Sequence, residues 1–235
     1  LAAMSALFKF FGSKHRIIKH YPAPTYPLIV EPFAGGASYA LAYPERDVLL
    51  CETDPEVCEL WRGLIGASAS DVLSLPVALP EGSDIRKLCL PPWAALLIRY
   101  NQRVGMSQCW TVSKWGHMGG FWDAARRARV ARVVEMIKHW QIFEGSIVDA
   151  PITGAATWFV DPPYASQPTV YKNAAPDFAA LGAWCRSLDG QVIVCEAPHK
   201  DGRIPSWLPF RPLVDARVGP NAGCVKRTEL VWTND

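Results

Sequence analysis

The chain has 235 residues, which is enough for one α/β domain with a small insertion or for two small domains. Half of the residues are hydrophobic and a fifth are charged, as in an ordinary globular protein. The formal net charge of +2 excludes a strongly basic or acidic protein, so any surface for nucleic acid must come from local clustering of charge.

The seven cysteines include no Cys-x-x-Cys pair and no group with the spacing of zinc ligands, so we expect no bound metal. Cys51 and Cys195 end apolar runs and are predicted to be buried thiols. This cysteine usage favours a reducing, cytoplasmic compartment. No apolar run is long enough to span a membrane, and residues 1–4 do not resemble a signal peptide, so no membrane attachment is expected.

Short apolar runs alternate with helical patterns along most of the chain. Buried parallel strands are predicted where a run rich in Val, Ile or Leu ends in a polar turn, at residues 28–30, 48–51, 158–160 and 191–195. Helices are predicted at 55–65, with Asp54 as N-cap, and at 177–188. Two further strands are predicted at 213–218 and 229–233. This alternation predicts a Rossmann-like, doubly wound α/β sheet that binds ligands at the carboxyl ends of its strands.

Residues 66–140 interrupt the alternation. They begin with a loop rich in Ser, Ala and Pro, and helices are predicted at 92–104 and 121–140. The loop at 105–120, between these helices, is rich in Gly, Ser, Trp and Lys. We therefore predict a small, mainly helical inserted subdomain at 66–140, with residues 4–65 and 141–235 forming the main domain.

The motif Asp161-Pro162-Pro163-Tyr164 follows an apolar strand directly. Methylation of an exocyclic base amine needs acceptors for its N–H groups, so that the nitrogen lone pair can point at the methyl donor. Asp161 supplies a carboxylate, and the carbonyl of Pro162 is a second acceptor on a restricted backbone. Tyr164 offers a flat face for an extruded base. The alternative is a Pro-Pro turn in which Asp161 is an ordinary turn residue.

Two further loops suit a cofactor. The segment Glu31-Pro-Phe33-Ala-Gly35-Gly follows the first strand, and its glycines allow close approach to a ligand. Its spacing differs from that of pyrophosphate-binding loops, which favours S-adenosylmethionine. Glu52 ends the second strand, where an acid can accept hydrogen bonds from ribose hydroxyls. The alternatives are a plain turn and a solvated loop acid.

These motifs and their order resemble the Dam-like group of DNA adenine methyltransferases, including those of phages. The resemblance spans nearly the whole chain but is weak in the middle. It is carried by the segments Phe8-Lys-Phe10-Phe-Gly-Ser-Lys14, Glu31 to Gly36, Glu52-Thr-Asp-Pro, Arg99-Tyr-Asn101, Asp161 to Tyr164, and the final strand from Glu229.

The resemblance implies a methyltransferase sheet, S-adenosylmethionine as cofactor and double-stranded DNA as partner. It implies that Asp161, Pro162 and Tyr164 are catalytic. The implied cofactor contacts are Phe10, Lys14, Phe33, Gly35, Glu52 and Asp161. Three departures from the family pattern stand out: Phe10 replaces Trp, Glu52 replaces Asp, and Ser146 replaces an acid after Gly145.

Candidate DNA contacts lie in residues 66–140. Arg126, Arg129 and Arg132 recur at threes on one predicted helix and could hold phosphates, although a solvated helix face is an equal alternative. The residues expected to face the core from that helix are Ala125, Ala128, Val133 and Ile137. The full set of predicted DNA contacts is Arg99, Asn101, Lys114, Trp115, Arg126 and Arg129. Two of Trp110, Trp115 and Trp122 are expected to be core residues instead.

Other activities fit parts of the pattern. Cytosine N4 methylation uses nearly the same chemistry, although enzymes of that kind more often have Ser in place of Asp161. An amine of RNA or protein is another possible substrate. A non-catalytic DNA-binding subunit could also keep the fold, but the intact motif from Asp161 to Tyr164, together with Lys14, argues against it.

Overall fold

The computed structural model describes residues 6–102, 109–114, 121–150, 152, 154–165, 176–218 and 225–234. Its centre is a seven-stranded, mostly parallel sheet. The strands are β1 Leu28–Glu31, β2 Asp47–Glu52, β3 Gln141–Glu144, β4 Ala156–Val160, β5 Gly190–Glu196, β6 Arg211–Val218 and β7 Val225–Thr233. The helices are α1 Pro55–Gly66, α2 Ala69–Leu73, α3 Pro92–Asn101, α4 Ala124–Met136 and α5 Phe178–Ser187.

The strand order is β3-β2-β1-β4-β5-β7-β6. Strands β1 to β5 pair in parallel, whereas β7 is antiparallel to both of its neighbours, β5 and β6. The order reverses between β1 and β4, and ligands of open α/β sheets bind in the crevice at such a point. The mixed α/β architecture predicted from the alternation is confirmed, and the sheet is compatible with a Rossmann-like fold.

Two hydrophobic clusters cover the two faces of the sheet, because successive strand residues point to opposite faces. Ile29, Phe159 and Ile193 belong to the larger cluster, which α1, α3 and α4 complete. Their neighbours Val30, Trp158 and Val192 belong to the other cluster, which α5 covers. The continuous apolar runs in the sequence reflect strands that are buried on both faces.

The sequence predicted the start of α1 correctly. The side chain of Asp54 accepts a hydrogen bond from the backbone N–H of Glu56, and Pro55 occupies the first helical position, where no backbone donor is needed. Cys51 and Cys195 are fully buried, as expected.

Two elements were not predicted. Strand β3 lies at the edge of the sheet, and its four residues are partly or fully exposed, so it lacks the apolar run that marks an inner strand. Helix α2 falls within the segment interpreted as a linker. It has only five residues and a Ser68–Asp71 capping box at its start.

The described part of residues 66–140 has no hydrophobic core of its own. Leu97 of α3 and Val130 of α4 belong to the same cluster as Ile29 and Leu50 of the sheet. A separate recognition subdomain therefore stays a prediction, and the described helices of this segment are part of the main packing unit.

Helices α3 and α4 are shorter than predicted. Val133 and Ile137 are buried as expected, whereas Ala125 is exposed and Ala128 is only half-buried, so the expectation for Ala125 was wrong. Trp122 is a core residue as expected, and Trp110 packs against the core. Among the described residues, no helix combines the length and apolar character needed to cross a membrane.

Candidate functional site

The carboxyl edge of the parallel strands is lined with carboxyl groups. Strands β1, β2, β3 and β5 each end on a glutamate, and an aspartate follows β4 directly. These residues are Glu31, Glu52, Glu144, Asp161 and Glu196. An edge so rich in hydrogen-bond acceptors suits a ligand that presents amino and hydroxyl groups.

Asp161 and Lys14 form a tight ion pair at this edge. The Lys14 Nζ lies 2.8 Å from Oδ1 and 2.7 Å from Oδ2 of Asp161, and it also donates to the carbonyl of Gly12 at 3.0 Å. Burial by itself lowers the pKa of Lys14, but the carboxylates of Asp161 and Glu229 outweigh this effect and raise it above its usual range. Lys14 therefore remains an ammonium group that fixes Asp161.

Tyr164 is anchored by a residue that sequence reasoning did not single out as functional. Glu229 Oε1 accepts hydrogen bonds from the hydroxyl groups of Tyr164, at 2.6 Å, and Tyr21, at 2.7 Å. It also lies 3.8 Å from Lys14 Nζ. Burial raises the pKa of Glu229, while Lys14 and the two phenols oppose that shift. The sequence did offer one signal for Glu229: it is an acid two residues before the buried Val231, and so on the same face of an inner strand.

The ring of Tyr164 is 9% exposed, and Lys14 Nζ lies 4.9 Å from its centroid. Tyr164 is therefore mostly enclosed rather than an open platform. Stacking of a base on it stays a prediction. Pro162 is buried beside it in the same loop.

A second group forms around the glycine loop. Gly35 has a φ of 44°, and a Cβ there would lie 2.7 Å from the ring of Phe10, so only glycine fits. The Gly35 N–H donates to Glu52 Oε2 at 3.0 Å, and its carbonyl accepts from Trp61 Nε1 at 2.8 Å. The structure thus brings together Phe10, Gly35 and Glu52, three of the predicted cofactor residues.

Ser38 connects the two groups. Its Oγ accepts a hydrogen bond from the backbone N–H of Lys14 at 3.1 Å and lies 2.9 Å from the Oγ of Ser13. The segment that carries Phe10 and Lys14 is therefore fixed against the loop that carries Gly35. Phe33, another predicted cofactor residue, is half-buried and packs against the cluster under α5.

Two buried acids support the loops of the site. Glu31 accepts a hydrogen bond from the Ala40 N–H at 2.7 Å, and burial raises the pKa of Glu31 to about 8 despite that bond. Glu196 accepts from Trp207 Nε1 at 3.0 Å and from the N–H of Ala165, just after Tyr164, at 3.4 Å. Burial raises the pKa of Glu196 as well.

Glu52 also has a structural task. Its Oε1 accepts hydrogen bonds from the N–H groups of Thr53, at 2.8 Å, and Asp54, at 3.0 Å. Among the described residues, these two N–H groups and that of Gly35 use three of the about four acceptor positions of the carboxylate. The ribose contact stays a prediction.

Two predicted DNA contacts are engaged inside the protein. Arg99 is 8% exposed, pairs with Glu56 at 2.7 Å, and stacks over the Trp110 ring at 4.4 Å. Asn101 has no exposed surface and binds the carbonyls of Leu7 and Leu97. A side chain without exposed surface cannot touch DNA in this arrangement, so we reassign Asn101 to joining the N-terminal segment to α3.

The remaining predicted DNA contacts are accessible or lie beyond the described residues. Arg126 and Arg129 on α4 are half-buried, and Lys114 is exposed. Trp115 lies outside the described residues.

A comparison of the chain with models of known protein families finds no match, and neither does a comparison with curated proteins. Among the described residues, no three His, Cys, Asp or Glu side chains are grouped so that they could hold a metal ion. Function must therefore be inferred from the geometry of the site and from the sequence motifs.

Proposed function

We propose that this protein transfers a methyl group from S-adenosylmethionine to the N6 amino group of adenine in DNA. The observation that carries the proposal is the position of Asp161. It follows β4 at the point where the strand order reverses and is fixed by Lys14 at 2.7 Å, and the backbone of Lys14 is hydrogen-bonded to Ser38, which follows the Gly35 loop. A carboxylate held in this way is suited to accept a hydrogen bond from an amine.

The residues at the carboxyl edge fit the cofactor. Glycine is required at position 35, because a Cβ there would clash with the Phe10 ring, and its absence lets the loop pack closely on that ring. The Glu31 to Gly36 segment lacks the glycine spacing of pyrophosphate-binding loops. Phe10, Gly35 and Glu52 would hold S-adenosylmethionine, which supplies an electrophilic methyl group when bound.

Asp161 would orient the amine for attack. Lys14 contacts both carboxylate oxygens, but each oxygen has a second lone-pair position that can accept an N–H of the base. With one N–H held by Asp161 and the other by the carbonyl of Pro162, the nitrogen lone pair is directed away from the ring plane. Tyr164, fixed by Glu229, would bound the base on one side.

DNA as the substrate rests on the sequence resemblance and on the distribution of charge. The segment of residues 103–120, between α3 and α4, contains Arg103, Lys114 and His117 but no Asp or Glu. A segment without carboxylates does not repel the phosphates of a nucleic acid. Arg126 and Arg129 add positive charge on α4.

Transfer of tritium from labelled S-adenosylmethionine tests the proposal. DNA should become labelled, while RNA and protein offered in parallel should not. Asp161→Ala should abolish labelling and remain folded by circular dichroism, because Glu229, 3.8 Å from Lys14 Nζ, still provides a counter-charge for the buried lysine. Asp47→Ala, at the exposed amino end of β2, is the matched control and should label DNA at the normal rate. Near-normal labelling by Asp161→Ala would refute the proposed mechanism.

A further inference from the structure

The N-terminal end of α4 carries positive charge that does not stabilise the helix. Asp123 caps the helix, and its first turn contains Arg126 but no acidic residue. The N-terminus of a helix is the positive end of its dipole, so a cation there is unfavourable. A residue kept at such a cost to stability is a candidate for binding an anion.

The N-terminal segment adds basic side chains to the same place. The pKa of His15 is lowered by burial and by the positive charges of Arg16, Arg126 and Arg129. Lys9 Nζ lies 3.6 Å from the centroid of the Phe121 ring, just before α4. Two separate parts of the chain thus bring basic groups together.

Hydrogen bonds inside the protein fix the position of Arg126 relative to the N-terminal segment. Asn101 Oδ1 accepts a hydrogen bond from Arg126 Nη1 at 2.9 Å, and Asn101 Nδ2 donates to the carbonyl of Leu7 at 3.1 Å. Asn101 is completely buried, so it holds Arg126 in a defined position relative to the N-terminal segment. Preorganisation of this kind lowers the entropic cost of binding.

Arg129 has unused hydrogen-bond donors. Its Nε and Nη2 are shielded from solvent and have no hydrogen-bond partner. A buried donor without a partner is unfavourable. Because the Arg129 side chain is only half-buried, its guanidinium can turn outward and give these donors to a phosphate. Asp123 acts electrostatically on both arginines, but its Oδ1 already accepts the Arg126 backbone N–H at 2.7 Å.

We propose that Arg126 and Arg129 bind one phosphodiester group of DNA, next to the nucleotide that is methylated. The inference rests on DNA being the substrate. A guanidinium group presents paired N–H donors that match phosphate oxygens. The N-terminal segment contacts both places, since Leu7 is joined to Arg126 through Asn101 and Lys14 contacts Asp161, so the phosphate is proposed to lie on the side of the reaction site.

The salt dependence of binding to a mixed-sequence DNA duplex tests this site. The double variant Arg126→Gln/Arg129→Gln should lower the slope of log affinity against log salt concentration by about one, because both arginines hold the same phosphate. Arg186→Gln, near the end of α5, should keep the wild-type slope. An unchanged slope in the double variant would overturn the proposal. A slope lowered by about two would also overturn it, because each arginine would then bind a separate phosphate.

A measurement on the unmodified protein covers the case in which the double variant fails to fold. The pKa of His15, followed by nuclear magnetic resonance, should rise when the duplex is added, since a phosphate stabilises the imidazolium ion against the charges of Arg16, Arg126 and Arg129. No rise at saturating duplex would overturn the site.

The combined results of these experiments and of the methyl-transfer assay show whether the phosphate site or the proposed activity is wrong. If the protein binds DNA with the expected slope changes but transfers no methyl group, the phosphate site stands and the activity is wrong. If DNA is methylated while the double variant keeps its slope and His15 keeps its pKa, the activity stands and the phosphate site is wrong.

Discussion

Glu229 lies behind the proposed reacting group and contacts the side chains that surround it. Its carboxylate accepts from the phenols of Tyr21 and Tyr164 and lies 3.8 Å from Lys14 Nζ. It does not touch Asp161 in any described hydrogen bond, so we regard it as a positioning residue. Its charge and its two short hydrogen bonds determine the positions of the Tyr164 and Lys14 side chains.

Glu229→Gln should lower kcat by about 10- to 100-fold, because small displacements of reacting groups cost that much. KM for S-adenosylmethionine should change little, since the described hydrogen bonds of Glu229 are to Tyr21 and Tyr164 and not to Gly35 or Glu52. Steady-state kinetics of methyl transfer measure the split. Tyr21→Phe removes the other hydrogen bond to Glu229 and should have a smaller effect. Equal kcat in Glu229→Gln and wild type would mean that Glu229 has no positioning role.

The raised pKa of Glu31 predicts that the free energy of unfolding depends on pH. Burial raises the pKa of Glu31 from 4.5 to about 8 in the folded protein. Between these values the folded state holds a proton that the unfolded state has lost, so this group's contribution to the free energy of unfolding falls as pH rises. The slope is at most about 1.4 kcal/mol per pH unit.

Glu31→Gln should remove that slope, because the amide cannot ionise but its oxygen can still accept the Ala40 N–H. Urea denaturation between pH 5 and 8, which lies within the range over which the pKa rises, measures the difference from wild type. Parallel pH curves for the two proteins would show that Glu31 does not titrate in this range.

At the scale of elements, the sequence predicted helices and strands best where a single local pattern determines them. Strands buried on both faces appear as continuous apolar runs, and the cap of α1 at Asp54 follows from side-chain chemistry. The edge strand β3 gave no such signal, since its two apolar residues, Ile142 and Phe143, are adjacent and form neither a long apolar run nor an alternation. The exposed position of Ala125 depends on how α4 packs, which helical periodicity alone does not determine.

The contact between α1 and α3 depends on a glycine. A Cβ on Gly63 would lie 2.1 Å from Cβ of Trp93, which is too close for any rotamer to relieve. Gly63→Ala should therefore destabilise the protein by about 1–3 kcal/mol, even though alanine favours helices. Denaturant unfolding monitored by circular dichroism measures the change.

Gly66→Ala in the same helix is the matched control. A Cβ at Gly66 meets nothing within 4 Å. That variant should be neutral or gain up to about 1 kcal/mol from helix propensity. Equal effects of the two substitutions would contradict the packing of Trp93 on α1.

At the scale of the whole molecule, the sheet explains why distant motifs meet. Gly35, Glu52 and Asp161 meet because each lies at or after the carboxyl end of a parallel strand, and this convergence followed from the predicted sheet. Lys14 lies ahead of β1 and reaches Asp161, 147 residues further along the chain, because its backbone N–H is hydrogen-bonded to Ser38, after β1. Glu229 could not be assigned in the same way, because its role depends on β7 running antiparallel beside β5, which brings it under Tyr164.

Identification of the methylated nucleoside tests the central claim most directly. DNA incubated with the protein and S-adenosylmethionine is digested, and its nucleosides are analysed by mass spectrometry. We predict N6-methyldeoxyadenosine with the wild-type protein and a severe loss of it with Asp161→Asn, whose amide can turn a donor toward the base amine. N4-methyldeoxycytidine instead, or no methylated nucleoside at saturating cofactor, would contradict the account.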